Sequence, residues 1–375
     1  MELKWQHSRS DPLCRVTFRP AISSRWSASP RIFDVRRQAV ELNLEMLKSK
    51  LSAVCLGLTL LCPGFGSALD AAAEQAKTGG ANVSGISVHR ILPSDTDERI
   101  NTFTGNGYDD WAWFDPGSQE KRSELIVFLP GTGSRGKGSA PFNKQAAQWG
   151  FHVVSIAYPD KISISHFGKS ADPDVFTKAR MNIITGKVQF RKLGVNEANS
   201  IENRIAALLQ YLATHFPQEQ WSQFLDEHHA LRWGKVILAG QSQGGGHAAI
   251  MAMKLHQVAR VLMFGSPKDF NRRLNRPAKW YSEGSLTPMD RFFAFNHTGD
   301  NSNGCTYPQQ LRNYRAMGLM PKYSIVNVDQ ASPPYGHTRL LTSEMPPKGA
   351  SAHSAPLHDT RYTQAWRYLL EEPVQ

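Results

Sequence analysis

The chain has 375 residues, enough for one large α/β domain or two small ones. Its composition, 41% hydrophobic with 9 Trp and 18 Phe, is that of a soluble globular protein rather than a disordered or fibrous one. The formal net charge of +11 is uneven: residues 1–68 hold ten Lys/Arg and five Asp/Glu, leaving +6 for the remainder. That is an ordinary surface charge, and no dense basic run with interleaved aromatics follows residue 68, so nucleic-acid binding is not expected.

Residues 1–45, rich in Arg, Ser and Trp, do not read as a folded unit. Met46-Leu47-Lys48-Ser49-Lys50 is a short basic start, Leu51 to Gly66 is apolar or small, and Gly66-Ser67-Ala68 offers the small residues a signal peptidase reads. The pattern over 46–68 is that of a secretory signal peptide. Pro63 and Gly64 interrupt it, so stable membrane insertion is not expected. Translation starting at Met46, with 1–45 as an upstream extension, fits this reading, and the product would be secreted or periplasmic. Cys14, Cys55 and Cys62 fall in the same segment; only Cys305 lies beyond it, so no internal disulfide is expected there.

After an Ala/Gly-rich lead-in over 69–84, strands and helices alternate. Ile86 to Leu92 and Trp111 to Phe114 read as early antiparallel strands. Glu124 to Leu129 is a buried strand ending at Pro130-Gly131. Ala140 to Trp149 can be a helix, and Phe151 to Ala157 the next strand. Residues 161–196 follow as a long insertion with seven Lys/Arg against two Asp. Its composition fits a solvated basic loop; the sharper reading is a substrate lid preferring anionic or polar groups. Ile201, Ile205, Leu208, Leu209 and Leu212 make one apolar helical face. Lys235 to Ala239 is a short buried strand, and Arg260 to Phe264 and Arg291 to Phe295 are two more. Pro308 to Met317 is a helix, Tyr323 to Val328 the last main strand, and Tyr362 to Leu370 a closing helix. Continuous apolar strands alternating with helices mean a mostly parallel sheet covered on both faces.

Gly240-Gln241-Ser242-Gln243-Gly244 sits between a strand and a small-residue helix. As a bare pattern, G-x-S-x-G arises by chance in roughly one chain in eight of this length. In this context it has mechanical meaning. A sharp strand-to-helix turn lifts the serine clear of the sheet, and the flanking glycines make room for the turn. On these residues and the strand order, the chain resembles the α/β-hydrolase superfamily, most nearly its bacterial secreted esterase-like members, from about residue 86 to the end. The resemblance implies a mostly parallel sheet of about eight strands with helices on both faces, one domain over 69–375, and a triad in chain order Ser, Asp/Glu, His.

Ser242 is the candidate nucleophile. A serine hydroxyl needs a base to take its proton; the plainer reading is a helix cap. Asp300, in the loop after strand 291–295, is the candidate acid, with Asp269 as the alternative. Asp300 could also be an ordinary turn residue. The resemblance places the base beyond the last strand, where His337, His353 and His358 qualify. His353, just ahead of the closing helix, is preferred, with His337 as the alternative. The resemblance places one oxyanion donor in the loop Leu129-Pro130-Gly131-Thr132-Gly133, with Thr132 preferred, and the other on Gln243.

Gly131-Thr132-Gly133-Ser134-Arg135-Gly136 is also a literal G-x-G-x-x-G, but its third glycine does not open a helix. Read as a phosphate loop through Lys137, it lacks the Ser or Thr that should follow the lysine. No cofactor is called for, and no His/Cys/Asp/Glu spacing suggests a metal. Arg272, Arg273, Arg276, Trp280 and Tyr281 could line the wall opposite the insertion. The expected activity is a serine hydrolase cleaving small-molecule or polymer carboxylic esters through an acyl-enzyme on Ser242. The alternatives are a peptidase or thioesterase with the same triad, or a non-catalytic binding protein on the same fold.

Overall fold

The structure, a computed structural model, describes residues 85–374. The chain divides into two units, Met1–Ala72 and Ala73–Gln375, and every described residue belongs to the second. The upstream extension 1–45, the leader 46–68 and the lead-in to residue 84 lie outside the described residues.

The strands are β1 (Ser87–Ile91), β2 (Asp110–Phe114), β3 (Leu125–Leu129), β4 (His152–Ser155), β5 (Val236–Gln241), β6 (Arg260–Phe264), β7 (Phe292–His297), β8 (Ile325–Asn327) and β9 (Leu340–Ser343). They form one sheet in the order β1-β2-β4-β3-β5-β6-β7-β9-β8. β1 pairs antiparallel with β2, and β2 with β4. The other ladders are parallel.

Both faces of the sheet are covered, so its central strands are apolar on successive residues rather than on alternate ones. In β3, Leu125, Val127 and Leu129 enter one core, and Ile126 and Phe128 enter the other. β5, β6 and β7 divide in the same way. The first core is closed by α2 (Val175–Thr185), α3 (Ile201–His215) and α4 (Gln243–Lys254). The second is closed by α1 (Ala140–Gln148) and α6 (Thr363–Glu371). α5 (Tyr307–Met317) lies between β7 and β8 in the chain. α3 begins where the Ser200 hydroxyl accepts the Asn203 N–H and buries the predicted face of Ile201, Ile205, Leu208, Leu209 and Leu212.

Two elements differ from the sequence reading. Tyr323 to Val328 was to be the last main strand. The segment instead contributes the edge strand Ile325–Asn327, and Leu340–Ser343 inserts between it and β7. Four residues between Arg339 and Glu344 are too few to show a period. The insertion 161–196 is not a solvated loop either. It holds a 3-10 turn, Ile164–Lys169, and all of α2, whose Phe176, Ala179, Ile183 and Ile184 are core residues. Arg180 and Asn182, also buried in α2, break the apolar stripe that would have announced a helix. Among the described residues no helix is long and apolar enough to cross a membrane.

β3 is the point where the sheet order turns, with β4 on one side and β5 on the other. The crevice outside the carboxyl ends of strands at such a point is where ligands bind in open α/β sheets. The loop after β3 and the turn after β5 meet there. Gly244, at the start of α4, lies so close to the end of β3 that a Cβ would come within 1.9 Å of the Leu129 carbonyl oxygen. Overpacking a fixed backbone contact is costly. We therefore expect Gly244→Ala to lower unfolding stability by at least about 2 kcal/mol, read as a fall in the urea midpoint. A wild-type midpoint would mean the helix does not approach β3 this closely.

Candidate active site

The turn from β5 into α4 places Ser242 at φ 56°, ψ −114°. An L-residue pays roughly 1–3 kcal/mol for such a conformation, which persists only where its surroundings enforce it. Here the Ser242 N–H donates to the Phe264 carbonyl (2.8 Å), and the Gly246 N–H donates to the Ser242 carbonyl (3.2 Å).

Beneath the turn sits a buried ion pair. Arg180 Nε and Nη2 donate to the two carboxylate oxygens of Asp269, each at 2.6 Å, and Nη1 donates to the Gln243 carbonyl at 2.9 Å. Trp280 Nε1 also donates to Asp269 (3.0 Å), and Tyr281 Oη accepts the Asp269 N–H (3.1 Å). Asp269, the alternative acid, is thus fully engaged in holding Arg180 against α4. Trp280 and Tyr281 are buried behind it and do not form an open wall.

Asp300 and His353 are brought together: His353 Nδ1 lies 2.8 Å from Asp300 Oδ2. An ionised carboxylate only accepts, so Nδ1 carries a proton, and in the neutral imidazole Nε2 then keeps its lone pair. Asp300 is fixed on every side. Lys268 Nζ donates to Oδ2 at 2.9 Å and Gln310 Nε2 at 3.2 Å, while the Ser302 N–H and hydroxyl donate to Oδ1. Burial alone would raise the Asp300 carboxyl, but the bond and charge of His353 and the Lys268 ammonium outweigh it and hold the group well below the usual carboxylate range. The Gln310 donor is positioned by α5, which starts from a Thr306–Gln309 capping box.

Asn303 links this pair to the serine. Its Nδ2 lies 3.4 Å from Ser242 Oγ and 3.4 Å from His353 Nε2. Among the described residues no direct bond joins Oγ to Nε2. His337 lies apart from the group: its side chain is 69% exposed and its Nδ1 is 2.8 Å from Glu372 Oε1.

Thr132 and Gln243 are clasped by their side chains, with Thr132 Oγ1 donating to Gln243 Oε1 at 2.8 Å. The Ile164 N–H donates to the same oxygen at 3.0 Å. The amide orientation of Gln243 is thereby set, and its buried Nε2 has no partner. Among the described residues, neither the Thr132 nor the Gln243 backbone N–H donates to a protein acceptor. With Ser163, Ile164, Ser165, Lys268 and Asn303, these residues line a tight cleft over Ser242 with a cavity volume of about 10 Å³. Sequence reasoning missed Lys268, Asn303 and Arg180. Lys268 and Asn303 lie within three residues of a candidate acid, the only signal that pointed to them.

The sheet order, the strained serine turn between β5 and α4, and helices on both faces define the α/β-hydrolase fold. Matches among solved structures include an acylaminoacyl peptidase in complex with Z-Gly-Gly-Phe-chloromethyl ketone (13% identity, TM-score 0.38). The Pyrococcus horikoshii acylaminoacyl peptidase, in an orthorhombic crystal form, matches at 14% identity and TM-score 0.38. Each alignment covers 71% of this chain and 40% of the other. The chain therefore spans well under half the length of those two proteins. No protein-family model matches the chain, and no curated protein matches it.

Asp160, just beyond β4, is buried beside the Thr132 loop, with the Gly133 N–H bonded to its carbonyl (3.3 Å) and its Oδ1 unpartnered. Burial pushes its carboxyl from 3.8 up to about 7, against backbone N–H groups of Asp160, Ser134 and Gly133 that favour the anion. Between those values the native state keeps a proton that the unfolded chain has released, so stability falls as pH rises and levels off above about 7. A one-unit shift corresponds to roughly 1.4 kcal/mol. Asp160→Asn removes this dependence. The stability gained over wild type should grow from pH 4 to pH 7, on the order of a few kcal/mol, in urea unfolding at each pH. A gain constant across that range would contradict the assignment.

Proposed function

We propose that the protein is a serine hydrolase that cleaves carboxylic esters through an acyl-enzyme on Ser242. The observation that carries the reading is the oriented pair of His353 and Asp300, 2.8 Å apart and linked through Asn303 to a serine held in a strained turn. His353 Nε2 takes the Ser242 proton as Oγ attacks the ester carbonyl. Asp300 keeps the imidazole in the required tautomer and stabilises the imidazolium that forms. The N–H groups of Thr132 and Gln243 are the proposed donors to the oxygen that becomes negative in the tetrahedral intermediate. His353 then returns the proton to the leaving alcohol, and water, activated by the same base, releases the acid.

For attack, the Asn303 amide must give up its place between Oγ and Nε2. Nucleophile–base contacts are often loose without substrate and tighten in the Michaelis complex. Asn303 is exposed at its turn, so this shift meets little packing. The signal-peptide pattern over 46–68 supports an exported enzyme.

Hydrolysis of p-nitrophenyl esters from acetate to palmitate by residues 69–375 tests the reading. Ser242→Ala and His353→Ala should each lower kcat by a factor of about 10³ or more, while His337→Ala should stay within about twofold, as surface changes usually do. Activity that survives Ser242→Ala, or that is lost with His337 rather than His353, would overturn it. No turnover of any ester would redirect the search to amides and thioesters.

A further inference from the structure

The segment from Ser163 to Ser170 has two sides. Ser163, Ile164 and Ser165 line the cleft over Ser242. The next residue, His166, begins a separate pocket of about 520 Å³, lined by Phe167, Lys169, Phe190, Arg191 and Lys192. Consecutive Cα atoms are about 3.8 Å apart, so the lining of the cleft and that of the pocket adjoin at the Ser165–His166 peptide. That segment is fixed to the triad loop: Arg272 donates to the Ser165 carbonyl (3.2 Å) and to the carbonyl of Gly304 (3.0 Å), which adjoins Asn303.

The pocket has a consistent chemistry. Phe167 and Phe190 meet edge to face, 5.0 Å between centroids, and form an apolar floor. Three cations stand around it. Lys169, Arg191 and Lys192 make no ion pair with any described residue; Lys192 only lies over the Phe167 ring, 5.8 Å from its centre. The one acid in the lining, Asp172, is already neutralised by Lys178 at 2.7 Å. Unpaired like charges converging on one concavity repel each other and are stabilised by an anion placed among them.

We propose that this pocket is a substrate subsite for an anionic group, so that the preferred substrates are esters bearing a carboxylate on an apolar body. The inference rests on the serine-hydrolase reading of the adjoining cleft. The ester would sit at Ser242, and its far end would pass the Ser163–Ser165 wall to place the carboxylate among Lys169, Arg191 and Lys192, with its carbon chain on the two phenylalanines.

A matched pair of esters tests it: the p-nitrophenyl monoester of adipic acid, with a free carboxylate, and its methyl-capped neutral counterpart. Wild type should favour the anionic ester in kcat/KM by about tenfold or more, and salt should shrink that preference by screening. In the double variant Arg191→Ala, Lys192→Ala, both changes at exposed positions, the anionic-to-neutral ratio should fall to about one. Equal treatment of the two esters by wild type, or a preference that survives the double variant, would overturn the subsite. Calorimetric titration of Ser242→Ala with both esters separates this from failure of the parent reading. Tight binding of the anionic ester alone, without wild-type turnover, supports the subsite and sinks the esterase. Turnover of both esters with equal binding does the reverse.

Discussion

The constraint on which the rest depends is the strained turn at Ser242. A serine at φ 56° stays there only because its neighbours leave no alternative. Gly244 lets α4 press against the end of β3, and Gly240 allows the same closeness on the other side, where a Cβ would stand 2.4 Å from the Gly244 carbonyl carbon. From below, Arg180 grips the first turn of α4 through the Gln243 carbonyl and is itself held by Asp269. A buried ion pair contributes little net stability, but losing one partner leaves a bare charge in the core. The pair thus acts as a brace that ties α2 and the loop after β6 to the Ser242 turn.

The same economy of charge runs through Asp300 and His353. Asp300 is buried, and an isolated carboxylate there would be neutral. It stays ionised because His353, Lys268, Gln310 and Ser302 all donate to it. Lys268 has a second consequence. Its Nζ donates to Oδ2, the oxygen that His353 Nδ1 also meets, so the ammonium and the imidazole share one carboxylate oxygen.

Much of this was legible in the sequence, for reasons that can be named. The nucleophile turn is announced by glycines because sterics allow nothing else at those positions. The central strands are announced by unbroken apolar runs because both sheet faces are covered. The Ser200-capped helix shows its face because no polar side chain interrupts it. Illegible parts were those where charge or brevity hides the pattern. α2 turns Arg180 and Asn182 inward, so its basic composition read as surface when half of it is core. β9 has four residues and is identified only by the partners on either side. Asn303 and Lys268 have no periodic or motif signal; each matters only through the fold that brings it to Ser242 or Asp300. Asp269 resembled a triad acid by position, and its pairing with Arg180 has no signal in the sequence.

The residues once read as a loose insertion therefore supply a helix of the core, a wall of the cleft and the brace beneath the serine. The central claim, that Ser242 is a nucleophile activated by its surroundings, is tested most directly by a fluorophosphonate probe followed by intact-mass analysis and peptide mapping. A single adduct on Ser242, abolished in His353→Ala, is the predicted result. No adduct, or an adduct on another residue, would contradict the account.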